Sequence, residues 1–298
     1  MIYFLTVNYY STELITKLID SLPVGDNPTY KTLIVNNSHD DDSIGKLQSE
    51  SVQILDAGYN MGFGCACNYG MKWIYSQDSQ AVIWMINPDA YLLENSLEKV
   101  NRFFQSYPEI SILGTIIHTL SDEIWFAGGS FIPKTGTIKT QDLLTNTDAP
   151  YILCDWVSGC SLIVNLRNFY DCPQFDDAYF LYYEDFDFCR RYANQGYLIA
   201  VTKNFGVLHQ PSSITNKYVS QKMKHSTYSY LLTLERYTSD FIFMTRLARL
   251  AIYALILIFI RPKIALGKFY GLFMYARLVM TRTNMKSLYH KSTSIDVL

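Results

Sequence analysis

The stretch AVIWMINPDA, residues 81–90, shows the pattern from which the fold can be predicted. Its apolar run from Ala81 to Ile86 predicts a buried strand. Asn87-Pro88-Asp89 follows at once and predicts the turn that ends the strand, since Asn, Pro and Asp all favour turns. The stretch therefore predicts a strand whose carboxyl end carries an acidic side chain.

Three earlier apolar runs repeat this pattern at Ile2–Asn8, Thr32–Val35 and Val52–Leu55. Two segments with helical spacing of apolar residues, Ser11–Leu22 and Ala66–Tyr75, lie between strands of this series. Strands that alternate with helices predict an α/β fold, with a mostly parallel central sheet and flanking crossover helices.

Polar side chains follow each of the four predicted strands. They are Asn8, Asn36, Asn60 and Asp89. In open α/β sheets, ligands bind beyond the carboxyl ends of the strands. The repeated placement therefore predicts a ligand site at this edge of the sheet.

The middle of the chain is less regular. Gly128-Gly129, Gly136 and Gly159 interrupt short apolar runs, which indicates hairpins or loops that line a cleft. Phe186–Asn194 is then predicted to form a short helix.

Charge and cysteine content exclude some classes of protein. The 298-residue chain has a formal net charge of -2, so it lacks the basic field that holds a nucleic acid. Cys65 and Cys67 are spaced too closely for a zinc knuckle, and no second pair answers them. Since no basic segment precedes the first apolar run, we expect no signal peptide and a cytoplasmic location.

Asp89 is a candidate metal ligand. Mg²⁺ and Mn²⁺ bind oxygen ligands and neutralise the negative charge of a bound diphosphate. A carboxylate at a strand end meets that need, although a simple turn would also favour Asp. His209, which follows an apolar run, is either a second ligand or a buried core histidine.

Glu184, Asp185 and Asp187 form an acidic cluster before the predicted short helix. Glu184 and Asp185 would lie at the helix N-terminus, where the dipole favours negative charge, and could accept a proton from a sugar hydroxyl. Asp187 is spaced to pair with Arg190 and Arg191. The alternative is that all three acids only cap the helix and form salt bridges.

The loop at residues 60–68, NMGFGCACN, carries two glycines separated by Phe63. Its glycines would let the backbone approach a ligand, and the helix that follows could face a phosphate. A third glycine at the spacing of the dinucleotide fingerprint is missing, and a structural turn is the alternative.

Taken in order, these segments resemble the family 2 inverting glycosyltransferases, in the rhamnosyltransferase-like branch. The resemblance covers roughly Ile2 to Thr215 and is most specific at Phe175–Asp185, FDDAYFLYYED. It implies a GT-A fold and a metal-dependent, inverting hexosyltransferase that takes a nucleotide-sugar donor. Two other segments resemble the family's first strand and its acceptor side, Val7–Ser11 and Trp156–Cys160.

The resemblance also implies a role for each matching residue. Asp185 is the catalytic base, and Asp89 and His209 approach the metal. The acceptor side comprises Trp156, Gly159 and Glu184. The donor-binding set comprises Asn8, Tyr10, Asn36, Asn60, Gly62, Phe63, Asn68, Asn87 and Asp89.

Two residues depart from the family pattern. Asn36 stands where relatives usually carry an Asp that holds the nucleotide base, which leaves the preferred nucleotide open. Asn87 replaces the first Asp of the usual Asp-x-Asp, which predicts weaker metal affinity.

The C-terminal region changes character and is predicted to be a separate helical segment, residues 226–298 after a GT-A domain of residues 1–225. Phe241–Ile260 is almost wholly apolar, and basic and aromatic residues alternate after it. We expect these helices to lie on the inner face of the cell membrane, because the uninterrupted run Leu250–Ile260 is too short to span it. The alternatives are a spanning helix, or helices packed on the domain or on a second copy in a homodimer.

The sequence therefore predicts an enzyme that transfers a sugar, with rhamnose as the first hypothesis, to a lipid-linked or glycan acceptor in surface polysaccharide synthesis. Galactose, galactofuranose, glucose and N-acetylated hexosamines stay open. One alternative is a nucleotidyltransferase, although residues 8–16 lack the Gly, Arg and Lys of a phosphate loop. Another is a non-catalytic sugar- or lipid-binding partner of a transferase.

Overall fold

The computed structural model describes residues 1–23, 30–210 and 219–293, with side-chain surroundings through residue 283. The chain divides into two compact units. The first comprises Met1–Ile132 and Thr137–Ile214, and the second comprises Pro133–Gly136 and Thr215–Leu298. The boundary falls earlier than the predicted 225/226, because one continuous helix that begins at Val219 runs through that position.

The first unit contains the strands and four α-helices. Its strands are β1 (Ile2–Asn8), β2 (Tyr30–Asn36), β3 (Val52–Asp56), β4 (Val82–Ile86), β5 (Ala90–Leu92), β6 (Ile110–Thr119), β7 (Ile124–Phe126), β8 (Gly129–Ile132), β9 (Thr137–Thr140), β10 (Ile152–Leu153), β11 (Ser161–Asn165) and β12 (Leu198–His209). Its α-helices are α1 (Thr12–Asp20), α2 (Phe63–Gln77), α3 (Ser96–Ser106) and α4 (Glu184–Ala193), with short 3-10 helices at Asp42–Leu47 and Leu166–Asn168.

The central sheet has the order β10-β12-β6-β11-β4-β1-β2-β3 within the described residues. The pairs β1–β2, β1–β4, β2–β3 and β6–β12 are parallel, and β11 runs antiparallel between β4 and β6. The predicted α/β class with a mostly parallel sheet is confirmed.

Continuous burial explains why the central strands are apolar along their whole length. All residues of β1 and β4 are buried, as expected for strands covered on both faces. Trp84 is completely buried in β4, and its indole N–H donates to Ser161 Oγ on β11 at 2.9 Å. That bond satisfies a polar group that would be costly to bury alone.

Parallel register aligns the carboxyl ends of the first three strands. Asn8 at the end of β1 pairs with Asn36 at the end of β2, and Asn36 pairs with Asp56 at the end of β3. Three polar residues therefore lie level at one edge of the sheet.

The second unit is built from three helices, α5 (Val219–Tyr237), α6 (Asp240–Ile260) and α7 (Pro262–Thr293). Backbone contact joins α5 and α7, because a Cβ atom on Gly267 would lie 2.4 Å from the carbonyl oxygen of Ser220. A Cβ atom on Gly271 would lie 2.5 Å from that of Lys224. Any larger residue at either glycine would push the two helices apart.

Helix α6 is continuous through the polar interruptions of its sequence. Its 21 residues make it the one helix in the described part of the chain that is long and apolar enough to cross a membrane. Only 11% of its most apolar window is buried.

Candidate active site

Asp89 and His209 come together because β5 pairs with β12. Asp89 lies in the turn between β4 and β5, and the antiparallel register sets Ala90 opposite His209. His209 Nε2 lies 3.3 Å from Asp89 Oδ1, and both side chains are almost completely buried. The Gln210 N–H donates to the Asp89 carbonyl oxygen at 3.0 Å, so the backbone of Asp89 is bonded to the residue that follows His209.

This pair fits a divalent cation but does not complete its coordination. A carboxylate oxygen and an imidazole nitrogen suit Mn²⁺ or Mg²⁺. His209 Nδ1 is buried and has no hydrogen-bond partner among the described residues, so one ring nitrogen stays available. Groups of three or more His, Cys, Asp or Glu that could hold a metal are absent from the described segments.

Asp185 is the second residue of α4. This helix begins at Glu184, two residues before the start of the predicted helix at Phe186. Its carboxylate accepts the N–H of Gly159 at 2.9 Å and that of Phe186 at 2.8 Å. Burial raises the pKa of Asp185, and these two hydrogen bonds partly offset the effect. The residue as a whole is partly buried. Asp185 is thus a partly buried residue whose carboxylate has a higher proton affinity than that of a surface aspartate.

The backbone before Asp185 is strained. Tyr182 and Tyr183 have φ angles of 70° and 64°, a left-handed conformation that costs a non-glycine residue about 1–2 kcal/mol. Such strain persists only where the surrounding structure holds it, and it concentrates at functional sites. The two tyrosines set the direction in which α4 begins.

Glu184 has different surroundings from its neighbour. It is buried, its Cβ lies 3.5 Å from the position of a Cβ on Gly64 of α2, and its Oε2 has no hydrogen-bond partner in the described segments. Burial, and then the charge of Asp185, raise the pKa of Glu184 to about 8. These contacts place Glu184 against α2 and favour a neutral carboxylic acid near pH 7, rather than a direct acceptor contact.

Gly159 and Cys160 connect Asp185 to the pair formed by Asp89 and His209. The Gly159 N–H holds Asp185, and the Cys160 carbonyl accepts the N–H of Asn87 at 3.0 Å, two residues before Asp89. Burial raises the pKa of the Cys160 thiol, and the nearby charges of Asp89 and Asp185 raise it further. One dipeptide therefore lies between the two catalytic candidates.

Asn8 and Asn36 form a polar pair at the ends of β1 and β2. The Asn8 NH₂ donates to Asn36 Oδ1 at 3.0 Å and to Asp41 Oδ2 at 3.1 Å. Asn8 Oδ1 accepts the N–H and hydroxyl of Ser11, so all of its main bonding positions are occupied. The NH₂ of Asn36, by contrast, has no hydrogen-bond partner among the described residues.

Tyr10 borders this pair and is half exposed. Its N–H donates to Ser38 Oγ at 2.9 Å, and its hydroxyl donates to Asp40. That hydrogen bond raises the pKa of Tyr10 to about 12 and lowers the pKa of Asp40. The predicted donor-side residues Asn8, Tyr10 and Asn36 are therefore neighbours in space.

The glycine loop before α2 packs on the chain itself. Gly62 has φ 84°, and a Cβ there would lie 2.3 Å from the Phe180 carbonyl oxygen, which accepts the Phe63 N–H. Asn60 Oδ1 accepts the Gly62 N–H at 3.0 Å. The ring of Phe63 reaches Gly159, where it would lie 3.3 Å from an added Cβ. The loop thus packs against Gly159, which binds Asp185. The glycine Gly62 allows close approach to the backbone of Phe180 rather than to a ligand.

Asn68 and Trp156 have contacts that favour structural roles. Asn68 donates to the Phe175 carbonyl at 2.9 Å and accepts the Phe175 N–H at 2.7 Å, which occupies both ends of its amide. Trp156 packs against Phe126 and Gly129. These two residues position the segment before α4 and the hairpin β8–β9.

The pairing predicted for the acidic cluster is half right. Asp187 binds Arg191 at 2.7 Å, as expected from their spacing. Arg190 binds Asp155 instead, also at 2.7 Å. Asp155 comes from a loop 35 residues away, which helical spacing cannot reveal.

Comparison with known proteins identifies the family. The profile described as "Glycosyl transferase family 2" matches residues 4–160, which is more than half of the chain. The chain is a family 2 glycosyltransferase. It resembles the rhamnosyltransferases of that family, in agreement with its motifs.

Two curated relatives of this family 2 glycosyltransferase are rhamnosyltransferases by name. It is 22% identical to the N-acetylglucosaminyl-diphospho-decaprenol L-rhamnosyltransferase of Mycobacterium tuberculosis, over 78% of its own length and 83% of the relative. It is 23% identical to the rhamnosyltransferase WbbL of Escherichia coli, over 78% of its length and 92% of the relative.

Solved structures confirm the fold. A crystal structure of GalNAc-T7 with UDP, GalNAc and Mn²⁺ has a TM-score of 0.59 at 13% identity, over 79% of this chain and 47% of that one. TarS of S. aureus in complex with UDP has a TM-score of 0.50 at 13% identity, over 78% of this chain and 64% of that one. At such identities the likeness establishes the GT-A fold of this glycosyltransferase and nothing beyond it.

Three residues near the site of this family 2 glycosyltransferase were not predicted. Asp56 ends β3 level with Asn36, and the rule that ligands bind at strand ends would have found it. Asp41 bonds to Asn8 from the polar turn after β2. Trp125 lies beside His209, with ring centroids 4.7 Å apart, and no local pattern marked it.

Proposed function

We propose that this glycosyltransferase moves a sugar, with rhamnose as the first donor to test, from a nucleoside diphosphate to a lipid-linked glycan in surface polysaccharide synthesis. The observation that carries the proposal is the Gly159–Cys160 link between Asp185 and the Asn87–Asp89 turn. The dipeptide is bonded to Asp185, the proposed proton acceptor, through Gly159. Through Cys160 it is bonded to the turn that carries Asp89, which with His209 would hold the cation. That is the arrangement a single displacement at an anomeric carbon needs.

In the proposed reaction, Asp185 accepts the proton of an acceptor hydroxyl as its oxygen attacks the anomeric carbon. The new C–O bond forms on the face opposite the bond to phosphate, which breaks, and the nucleoside diphosphate leaves with that electron pair. The configuration at the anomeric carbon is inverted. Burial of Asp185 favours this role, because a base with a raised pKa drives proton transfer more strongly.

Asp89 and His209 are proposed to hold Mg²⁺ or Mn²⁺ together with the donor diphosphate. The metal supplies positive charge that stabilises the departing diphosphate. Asp89 and His209 would supply two protein ligands, so we expect weaker metal binding than in a site with more carboxylates. The Mn²⁺ in the GalNAc-T7 structure is consistent with this class of cofactor.

The nucleotide end of the donor is assigned to Asn8, Tyr10 and Asn36. Asn36 is the residue with hydrogen-bonding capacity left over, since its NH₂ is free among the described residues while the Asn8 amide is occupied. An Asn36 NH₂ would donate to a base carbonyl. The Asp41 carboxylate, bonded to Asn8, supplies negative charge close to the position where relatives carry Asp.

The acceptor is proposed to be a sugar on a diphospho-lipid. The relative from Mycobacterium tuberculosis is named for N-acetylglucosaminyl-diphospho-decaprenol, and this chain covers 83% of that protein. An N-acetylglucosaminyl diphospho-lipid is therefore the first acceptor to test. A substrate with a lipid tail requires an enzyme at the membrane.

The second unit provides a surface suited to that location. Exposed apolar side chains cover the C-terminal half of α6, and Arg261 and Lys263 follow directly. Apolar residues bordered by basic ones are typical of helices that lie in the interface of an anionic membrane. The exposed apolar residues in this half are Ile252, Tyr253, Leu255, Ile256, Ile258, Phe259 and Ile260.

The packing of α7 favours a helix pair on the surface rather than a spanning α6. Lys268 of α7 lies 5.6 Å from the ring of Tyr253, and Tyr275 lies 5.7 Å from the ring of Phe243. Helix α7 therefore runs back along α6 and would enter the bilayer with it. Lys268 and Arg277 would each then cost about 2.5–3.5 kcal/mol at the membrane centre. We propose peripheral attachment to the cytoplasmic face.

A transfer assay tests the proposed function. Detergent-solubilised protein is incubated with an N-acetylglucosaminyl diphospho-lipid, a panel of nucleotide sugars that includes dTDP-L-rhamnose, and Mn²⁺ or Mg²⁺. We expect acceptor-dependent release of nucleoside diphosphate with one donor and its loss in EDTA.

Asp89→Asn should raise the Mn²⁺ concentration for half-maximal activity. Activity that persists unchanged in EDTA would contradict the metal assignment. A protein that binds nucleotide but turns over no donor with any acceptor would instead be a non-catalytic partner.

A further inference from the structure

Trp125 is a large exposed aromatic residue at the metal pair. Its side chain is on β7, and the residue is 39% exposed. Its ring meets His209 edge to face, with centroids 4.7 Å apart and planes 71° apart. His209 itself is 4% exposed, so the indole lies between a buried candidate ligand and solvent.

A β-bulge directs this side chain. Ile117 of β6 pairs with Phe126, but the next residue, His118, pairs with Ile124, so Trp125 has no partner in the ladder. An extra residue in one strand bends that strand and re-aims its side chain, and bulges are frequent next to active sites. A regular strand would have placed Trp125 opposite a β6 residue. The bulge instead places it against His209.

The neighbouring rings connect Trp125 to the base. Trp125 contacts Phe126, Phe126 packs on Trp156 at 5.1 Å, and Trp156 contacts Phe186 at 6.3 Å. Phe186 directly follows Asp185. Phe126 and Phe186 are buried and Trp156 is half-buried, whereas Trp125 is exposed. The other three form a fixed support, so an exposed indole lies at the end of a rigid layer that runs from the metal pair to the base.

The nucleotide base is too far away to be the partner of this indole. Trp125 is held by β6, and the pair Asn8 and Asn36 lies on β1 and β2. Three strand spacings separate β6 from β1 in the sheet order, a distance of about 14 Å. The part of a substrate that lies near the metal pair and the base is a sugar ring.

We infer that Trp125 is the platform on which a pyranose ring of the substrate stacks in the catalytic cleft. Sugar rings present C–H groups on their faces, and the negative face of an indole attracts them. Trp also offers a large rigid surface with little loss of side-chain entropy. The sugar can belong to the donor or to the acceptor, because both carry a sugar ring that could stack on the indole. The assignment rests on the proposed function, because the cleft must be a glycosyl-transfer site.

Binding measurements test the platform without requiring turnover. Affinities of dTDP, dTDP-L-rhamnose and an N-acetylglucosaminyl diphospho-lipid are measured by calorimetry with Mn²⁺ for wild type, Trp125→Ala and Trp125→Phe. We expect Trp125→Ala to bind dTDP like wild type and to bind one sugar-bearing ligand about three- to tenfold more weakly. Trp125→Phe should recover most of the loss. A loss for dTDP-L-rhamnose assigns the donor sugar, and a loss for the lipid-linked sugar assigns the acceptor.

Two results would overturn the inference. Unchanged affinity for both sugar ligands would show that the indole contacts neither. An equal loss for dTDP and for dTDP-L-rhamnose would show that Trp125 only shields His209 and supports the metal pair. Tyr170→Ala, which removes a 90% exposed aromatic residue elsewhere on the surface, is the matched control and should leave all affinities unchanged. If wild type binds these ligands but transfers nothing, the proposed function fails while this test still stands.

Discussion

Glu184 and Asp185 are adjacent carboxylates, and their surroundings give them different chemistry. Asp185 keeps some exposure and is held by two backbone N–H groups. Glu184 is buried against α2 with one oxygen unpartnered among the described residues. Titratable neighbours whose environments push their proton affinities apart are typical of acid–base sites. The pair is consistent with Asp185 as base beside a neutral acid.

Glu184→Gln should stabilise the protein in a pH-dependent way. Burial raises the folded-state pKa of Glu184 from 4.5 to about 8, so the folded chain holds this proton more tightly than the unfolded chain. The stability that the proton contributes is present at low pH and is lost as pH rises from about 4.5 through about 8. Gln carries no such proton. We expect the melting temperature of the variant, relative to wild type, to rise across this window and level off above it.

The other charges around Glu184 do not change this sign. Asp185 on α4 and the thiol of Cys67 on α2 face it, and burial raises the pKa of Cys67 well above its ordinary value, so that this thiol is neutral across the window. Glu98→Gln on the exposed face of α3 is the control and should show no trend. A difference in melting temperature that stays constant from pH 5 to pH 8 would show that Glu184 is ionised throughout.

Sequence reasoning named candidate site residues where local signals were sufficient. Asp89 ends an apolar run, and Asp185 stands in an acidic cluster, so both could be found from their neighbours. The pairing of Asp89 with His209 depends on the β5–β12 register, which joins residues 120 positions apart and leaves no local pattern. Trp125 depends on a bulge, and the burial of Glu184 depends on α2. These features arise from tertiary packing.

At the scale of elements, the loop that starts α2 shows two separate uses of glycine. Gly58 and Gly62 both adopt positive φ, at 75° and 84°. Nothing lies within 4 Å of a Cβ on Gly58, whereas a Cβ on Gly62 would meet the Phe180 carbonyl oxygen at 2.3 Å. Gly58 is needed only for its positive φ angle. Gly62 is needed for its positive φ angle and also because a Cβ atom there would have no room.

Alanine substitutions at these two glycines should differ in cost. Gly58→Ala adds only backbone strain, about 1–2 kcal/mol of unfolding free energy. Gly62, at φ 84° and ψ 172°, lies in a region that is essentially restricted to glycine. Gly62→Ala adds that strain and also forces the Phe180 backbone away, which should at least double the loss. Urea denaturation measures both. Equal losses would mean that the segment before α4 moves freely to admit a methyl group, against the close packing described here.

Helix α7 gives a second element-scale prediction, with an unusual sign. Gly→Ala in an exposed helix gains about 1 kcal/mol of stability. Gly271→Ala should instead lower the melting temperature, because its Cβ would lie 2.5 Å from the Lys224 carbonyl of α5. Leu266→Ala, at a half-exposed position five residues earlier, is the control and should change stability little. A raised melting temperature for Gly271→Ala would contradict the α5–α7 contact.

The elements themselves were largely predictable, because strands and helices of the first half alternate with clear periodicity. The strands predicted at Ile2–Asn8 and Val52–Leu55 match β1 and β3 within a residue. Beyond residue 100 the strands are short and several are antiparallel, and their pairing order cannot be read from composition. The boundary predicted at 225/226 differs from the division between the two compact units, because α5 carries polar residues and lacks the apolar signal of α6.

At the scale of the whole molecule, the proposed attachment to the membrane depends on the second unit. Ile256 and Phe259 are 52% and 90% exposed on α6. The double substitution Ile256→Glu/Phe259→Glu should reduce co-sedimentation with anionic vesicles by at least about tenfold, because it removes apolar burial and adds repulsion. Thr245→Glu on the exposed part of the same helix is the control for added charge alone. Undiminished sedimentation of the double variant would place the membrane contact elsewhere.

The central claim is that this family 2 glycosyltransferase uses Asp185 as the base for transfer to an acceptor hydroxyl. The most direct measurement compares acceptor-dependent release of nucleoside diphosphate by wild type, Asp185→Asn and Glu184→Gln at pH 7, with nucleotide binding measured in parallel. We predict that Asp185→Asn binds nucleotide normally and loses at least about a hundredfold in rate, while Glu184→Gln, which matches the neutral acid, stays within severalfold of wild type. Acceptor-dependent release that survives in Asp185→Asn, or is lost only in Glu184→Gln, would contradict the account.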